Sequence, residues 1–113
     1  MTEAEMDALF QALAHEHRRR MLDLIKAQPG VAVGELARHF DVSRIAVMNH
    51  LAVLERARLV LSEREGRTRK LYLNPVPIQL IHERWTSEFS ALWASRLTKI
   101  KYAAEAARKN KRD

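Results

Sequence analysis

Residues 34–56 read GELARHFDVSRIAVMNHLAVLER, and the fold is decided there. Segments 34–40 and 44–56 each suit a helix, and Asp41-Val42-Ser43 suits the turn between them. Small Ala37 sits where the two helices must approach closely. This is helix-turn-helix spacing. Ser43 is placed to accept from the free N–H groups of the second helix. At about 100° per residue, Val47, Leu51 and Leu54 fall on one side of that helix. Ile45, Asn49, Ala52 and Arg56 fall on the other. An asparagine matches the adenine edge in the major groove, and an apolar side chain matches a thymine methyl. The same face also suits a solvated helix carrying one stray Ile, since isolated exposed apolar residues are common. The stretch alone leaves both readings open.

Outward from it, LVLSER (59–64), Glu65-Gly66 and RTRKLYL (67–73) form two β-prone runs around one glycine, which reads as a hairpin. Arg64, Arg67, Arg69 and Lys70 make it cationic, with Glu65 opposing. A cationic hairpin after a candidate recognition helix is a wing, whose tip lies along phosphates or the minor groove. It is equally an edge hairpin blunted by charge. Asn74-Pro75-Val76-Pro77 ends it.

Upstream, 3–14 reads as a helix with Met6, Phe10 and Leu13 as its apolar face. Segment 16–27 follows, with Met21, Leu22 and Ile25, until Gln28-Pro29-Gly30 stops it. Downstream, 78–107 reads as one long helix. Ile78, Ile81, Trp85, Phe89, Leu92/Trp93, Leu97 and Ile100 recur at steps of 3 or 4 along it. So long a stripe calls for a second copy as its cover. The other reading is an effector pocket at Trp85, Phe89 and Trp93. The expected fold is mainly α with one β-hairpin, a winged helix-turn-helix in the order α-α-α-α-β-β-α. Its expected bounds are 1–107, with a basic tail at 108–113.

Composition narrows the function classes. The 113 residues carry 20 Lys+Arg against 14 Asp+Glu, a net charge of +6, and no Cys. That excludes disulfides, iron–sulfur clusters and Cys-type zinc sites. Three Gly and three Pro are too few for a Gly-rich phosphate loop or a turn-dense β fold. No apolar run approaches the ~20 residues of a membrane helix, and the acidic N-terminus lacks signal-peptide order. A cytoplasmic, mostly helical, basic domain with a polyanionic partner is expected.

ALAHEHRRRMLDLI (12–25), VGELARHFDVSRIAVMNHLAVLERARLV (33–60) and REGRTRKLYLN (64–74) together resemble the ArsR-type winged-helix repressors. LNPVPI (73–78) before a Trp-rich helix resembles a subgroup with an aromatic C-terminal helix. The resemblance implies a homodimeric transcriptional repressor, bound to an imperfect palindrome in double-stranded DNA. It implies DNA contacts by Ser43, Arg44, Ile45, Met48 and Asn49 together with Arg64, Arg67, Arg69 and Lys70. It also implies a dimer interface through the first and last helices, where Phe10, Ile81, Trp85, Phe89, Trp93 and Leu97 are the candidates. Two departures stand out. The cysteine pair of many metal-sensing relatives is impossible here, and the last helix offers one histidine, His82, with Glu83 beside it and Glu88 further on. Arg58 stands where many relatives have Gly, which places an L-residue in a left-handed backbone.

The remaining histidines read as structural. His15 and His17 are alternate residues, which point apart in a helix, and His50 faces the packed side of its helix. No metal site, cofactor or catalytic constellation is expected, and the chain reads as a non-enzyme. The expectation is a sequence-specific repressor. An effector-released regulator, responding to a small molecule or metal, and a helical protein-interaction module are the alternatives.

Overall fold

Thr2 opens the first helix: its hydroxyl accepts the Glu5 N–H at 3.1 Å, with Glu3 and Glu5 at the positive end of the helix dipole. The computed structural model describes residues 1–86 and 88–112, and the side chains of 1–86 and 92–109. In chain order it contains α1 (Glu3–Leu13), α2 (Glu16–Ala27), β1 (Val31–Ala32), α3 (Val33–Ala37) and α4 (Arg44–Arg56). Then come β2 (Val60–Glu65), β3 (Thr68–Leu73), α5 (Val76–Trp85) and α6 (Glu88–Arg112). The chain divides into two compact units, residues 1–78 and 79–113. No helix among the described residues is long and apolar enough to cross a membrane.

In the first unit, α1, α2 and α4 pack on one another, and α2 and α4 pack on a three-stranded antiparallel sheet of order β1-β3-β2. Leu9, Met21, Ile25, Leu36, Val47, Leu51, Leu54, Leu59, Val60 and Leu71 form its fully buried centre. Met21, Leu22 and Ile25 of α2 and Val47, Leu51 and Leu54 of α4 are buried as their periodicity predicts. The α1 face differs. Met6, Leu9 and Ala12 are buried, whereas Phe10 is 45% exposed. Both sets satisfy helical spacing. Choosing 6-9-12 puts small Ala12 at the close approach to α2, where Arg18 Nε donates to the Ala12 carbonyl at 2.8 Å.

The arginines after α1 close its end. Arg18 Nη2 donates to Gln11 O at 2.9 Å and Arg19 Nη1 to Leu13 O at 2.7 Å, which satisfies carbonyls the helix leaves open. His15 is the N-cap of α2, in extended backbone (φ −120°, ψ 130°), and its Nδ1 accepts the His17 N–H at 3.1 Å. The expected divergence of His15 and His17 therefore does not occur, because His15 lies outside the helix.

β1 has no counterpart in the sequence reading. Two residues are too short for a periodic signal, and Val31 and Ala32 become a strand only by pairing with Leu71 and Lys70 of β3. Gly30 permits that approach. It sits at φ +85°, donates to Leu71 O at 2.8 Å, and an added Cβ would lie 3.3 Å from Tyr72 Oη. α3 spans 33–37 rather than 34–40, so the link to α4 runs over 38–43, with Phe40 buried in it. The hairpin turns at Gly66-Arg67, with Glu65 opposite Thr68 and Val60 opposite Leu73.

α4 ends as the Arg58 reading implies. Leu59 N–H bonds Leu54 O at 3.0 Å and Arg58 N–H bonds Glu55 O at 2.9 Å, a Schellman motif with Arg58 at φ +61°. Asn74 secures it by donating from Nδ2 to Arg58 O at 2.8 Å.

The expected single helix over 78–107 is two helices. α5 begins at Val76, behind an Asn74 Oδ1 that accepts the Val76 N–H at 3.3 Å, and takes Pro77 into its first turn. It stops at Trp85, where the Thr86 hydroxyl turns back to the His82 carbonyl. α6 then runs through residues 108–112.

Candidate nucleic-acid interface

Ser43 sets the start of α4. Its backbone is extended and its Oγ accepts the Ala46 N–H at 3.1 Å. The first turn of α4 contains no acidic residue and begins with Arg44, so no carboxylate of that turn offsets the positive end of its dipole. With Val47, Leu51 and Leu54 locked into the core, the opposite face is fixed outward. Arg44, Ile45, Met48 and Asn49 are all exposed there, Ile45 at 74%. Ala52, expected on this face, is half-buried, and Arg56 is exposed.

The hairpin stands beside that face, held by its register, by the packing of β2 on α4 and by an ion pair to α4. The Arg69 guanidinium pairs with the Glu55 carboxylate, both half-buried. Lys70 pairs within the hairpin with Glu65. The hydrogen bond and charge of Lys70 hold the Glu65 carboxyl below the usual carboxylate range, and Glu65 raises Lys70 in return. Arg64 and Arg67 are exposed and form no ion pair among the described residues. The four wing cations thus divide. Two are engaged within the protein, and two are open to a phosphate.

Helix and hairpin enclose a cleft of about 590 Å³. Arg44, Ile45, Met48 and Asn49 form one wall, Arg67, Thr68 and Arg69 another, and Ala32, Val33 and Gly34 the floor. Two stretches 18 or more residues apart thus bring six of the nine expected DNA-binding residues onto one concave surface. Ser43 borders it as the cap of α4, while Arg64 and Lys70 lie on the hairpin outside its lining. Thr68, the floor residues and Glu55 were not singled out from the sequence. A long-range strand pairing places the first four, and no local signal announces it.

Of the expected interface residues, Phe10 and Trp85 are exposed and Ile81 is half-buried. On α6, Trp93 and Leu97 are exposed, with Leu92 and Ile100 beside them in sequence spacing. Arg84 stacks on Trp85 and Arg96 on Trp93, at 5.3 and 5.4 Å from the ring centroids. The Phe89 side chain lies outside the described residues.

Comparison with known proteins agrees with this geometry. The helix-turn-helix domain family matches residues 13–63. The HTH-type transcriptional regulator Rv2034 of Mycobacterium tuberculosis is 38% identical over 92 residues, 81% of each chain. The transcriptional repressor SdpR of Bacillus subtilis is 32% identical over 74 residues, 66% of this chain and 81% of its own length. Among solved structures, an ArsR-like transcriptional regulator from Rhodococcus sp. RHA1 superposes with a TM-score of 0.69 at 29% identity. It covers 94% of this chain and 98% of that one. With a winged helix-turn-helix, an exposed face on α4 and these relatives, the chain belongs to the ArsR-type helix-turn-helix transcriptional regulators.

Proposed function

We propose that the protein is a homodimeric repressor that binds an imperfect palindrome in double-stranded DNA. The observation that carries this reading is the cleft in which Arg44, Ile45, Met48 and Asn49 of α4 face Arg67 and Arg69 of the hairpin. In this reading α4 enters the major groove by its N-terminal turns. Arg44 and the Ser43 hydroxyl meet phosphate at the entry, and Ile45, Met48 and Asn49 meet base edges. Arg64 and Arg67 reach the flanking backbone, with Arg69 and Lys70 supporting the hairpin behind them.

Two-fold pairing is supported by Trp85, Leu92, Trp93, Leu97 and Ile100, large apolar side chains that are exposed at helical spacing. The repressor sense is supported by the relative SdpR, named a transcriptional repressor. The reading assigns the protein no catalytic step.

The experiment is fluorescence anisotropy with duplex DNA over a salt series. Binding that weakens steeply and log-linearly with salt supports phosphate recognition. Absence of duplex binding at low salt contradicts it.

A further inference from the structure

The join of α1 to α2 brings three imidazoles together. The ring centroids of His15 and His50 are 4.5 Å apart, those of His15 and His17 5.1 Å, and those of His17 and His50 5.7 Å. One ring nitrogen of each lies within 4.8 Å of the other two. All three side chains are half-buried, and the rings of His17 and Phe40 stand nearly perpendicular with centroids 5.8 Å apart. His15 reaches the cluster because it is an N-cap in extended backbone, and His50 reaches it from α4.

We propose that His15, His17 and His50 form a binding site for a divalent transition metal of the zinc, cobalt or nickel type. Its remaining position is open to water or an outside ligand. Imidazole nitrogen is the common ligand of these ions, and a three-histidine set with one open position is an established zinc geometry. Metal–nitrogen distances of about 2.0–2.1 Å in a tetrahedron put the ligand atoms about 3.3 Å apart. The rings therefore close by at most roughly 1.5 Å on binding, a movement that side-chain rotation supplies in half-buried residues. Burial, reinforced by His15, Arg18 and His17, lowers the His50 pKa, which favours the neutral ring that a metal requires.

Two hydrogen bonds compete with the metal. His15 Nδ1 accepts the His17 N–H, and His50 Nδ1 faces Arg18 Nη1 at 3.2 Å. Arginine only donates, so His50 Nδ1 accepts. A neutral imidazole that coordinates through Nδ1 uses up that lone pair, and one that coordinates through Nε2 carries its proton on Nδ1. Either way, both bonds are lost. Arg18 keeps its bonds to Ala12 O and Gln11 O and opposes a cation with its charge, which sets a modest affinity. His50 follows Asn49 on α4, so an occupied site ties the α1–α2 junction to the helix that faces the cleft.

The test uses the whole chain, freed of metal by chelation and titrated with Co²⁺ alone. One ion per chain is expected, seen as a ligand-field absorption band. The ring-nitrogen NMR signals of His15, His17 and His50 should shift on adding Zn²⁺, with those of His39 and His82 unmoved. His15→Gln and His50→Gln should each weaken cobalt binding by about tenfold or more, whereas His39→Gln should not. Circular dichroism reports whether each variant folds, and the wild-type NMR result stands without the variants. No band at excess Co²⁺, or shifts confined to His39 and His82, overturns the proposal. The assay contains no DNA, so its failure is distinct from failure of the DNA-binding reading.

Discussion

The Arg69 guanidinium of β3 is paired with the Glu55 carboxylate of α4, so the wing is fastened to the helix it flanks. Two cations that look equivalent in the sequence therefore have different duties. Arg67 stands at the hairpin turn with no ion pair among the described residues. Arg67→Ala is expected to weaken binding to all duplexes alike and to lower the salt slope by about 1, with stability within about ±0.5 kcal/mol. Arg69→Ala is expected to cost about 0.5–1 kcal/mol of stability as well, because it leaves half-buried Glu55 without its partner. Urea denaturation and a salt series measure both. Equal stability for the two variants would detach the wing from α4.

Asn49 lies exposed on α4, one turn beyond Ile45, opposite a face locked by Val47, Leu51 and Leu54. Asn49→Ala is expected to cost ~1–3 kcal/mol at the preferred site and to relax preference at one base pair per half-site. Ile45→Ala is expected to act more weakly, at a thymine. Affinities for operator and scrambled duplexes at one salt concentration check this. A loss shared equally by both duplexes would show that Asn49 does not read bases.

Arg58 at φ +61° is an L-residue in a glycine's place. Arg58→Gly is expected to stabilise the protein by about 1 kcal/mol, since relief of the Cβ clash outweighs the extra unfolded-state entropy. Thermal and urea unfolding read it directly. A destabilised variant would mean that the Arg58 side chain supplies more than its backbone costs.

Trp85 and Trp93 are 55% and 46% exposed. Trp93→Ala is therefore expected to weaken self-association by about 2 kcal/mol or more, the scale of an interface anchor, while helix content is retained. Sedimentation over a concentration series gives the dissociation constant. A wild-type protein that is folded and monomeric at micromolar concentration would remove the dimer from the account.

The legible parts of the molecule are those set by local periodicity and local chemistry. The buried faces of α2 and α4, the Ser43 cap and the hairpin follow from short stretches, and the left-handed Arg58 from the resemblance to the family. The α1 face did not, because 6-10-13 and 6-9-12 both satisfy helical spacing and only the approach to α2 selects Ala12 over Phe10. β1 exists only through pairing with β3, and the Arg69–Glu55 tie links residues 14 apart. α5 ends at Trp85 inside a continuous apolar stripe, which carries no local signal for a stop. The histidine cluster was hidden for a different reason. Its reading assumed helical backbone at His15, whereas the residue is a cap.

In the proposed complex two copies of α4, each with its wing, read a symmetric site, and selection of bound fragments from random duplex DNA reports that symmetry. The expected product is an imperfect palindrome, with half-sites about one helical turn apart or a multiple of it. Sequences without two-fold symmetry, or no enrichment over the input pool, would contradict the account.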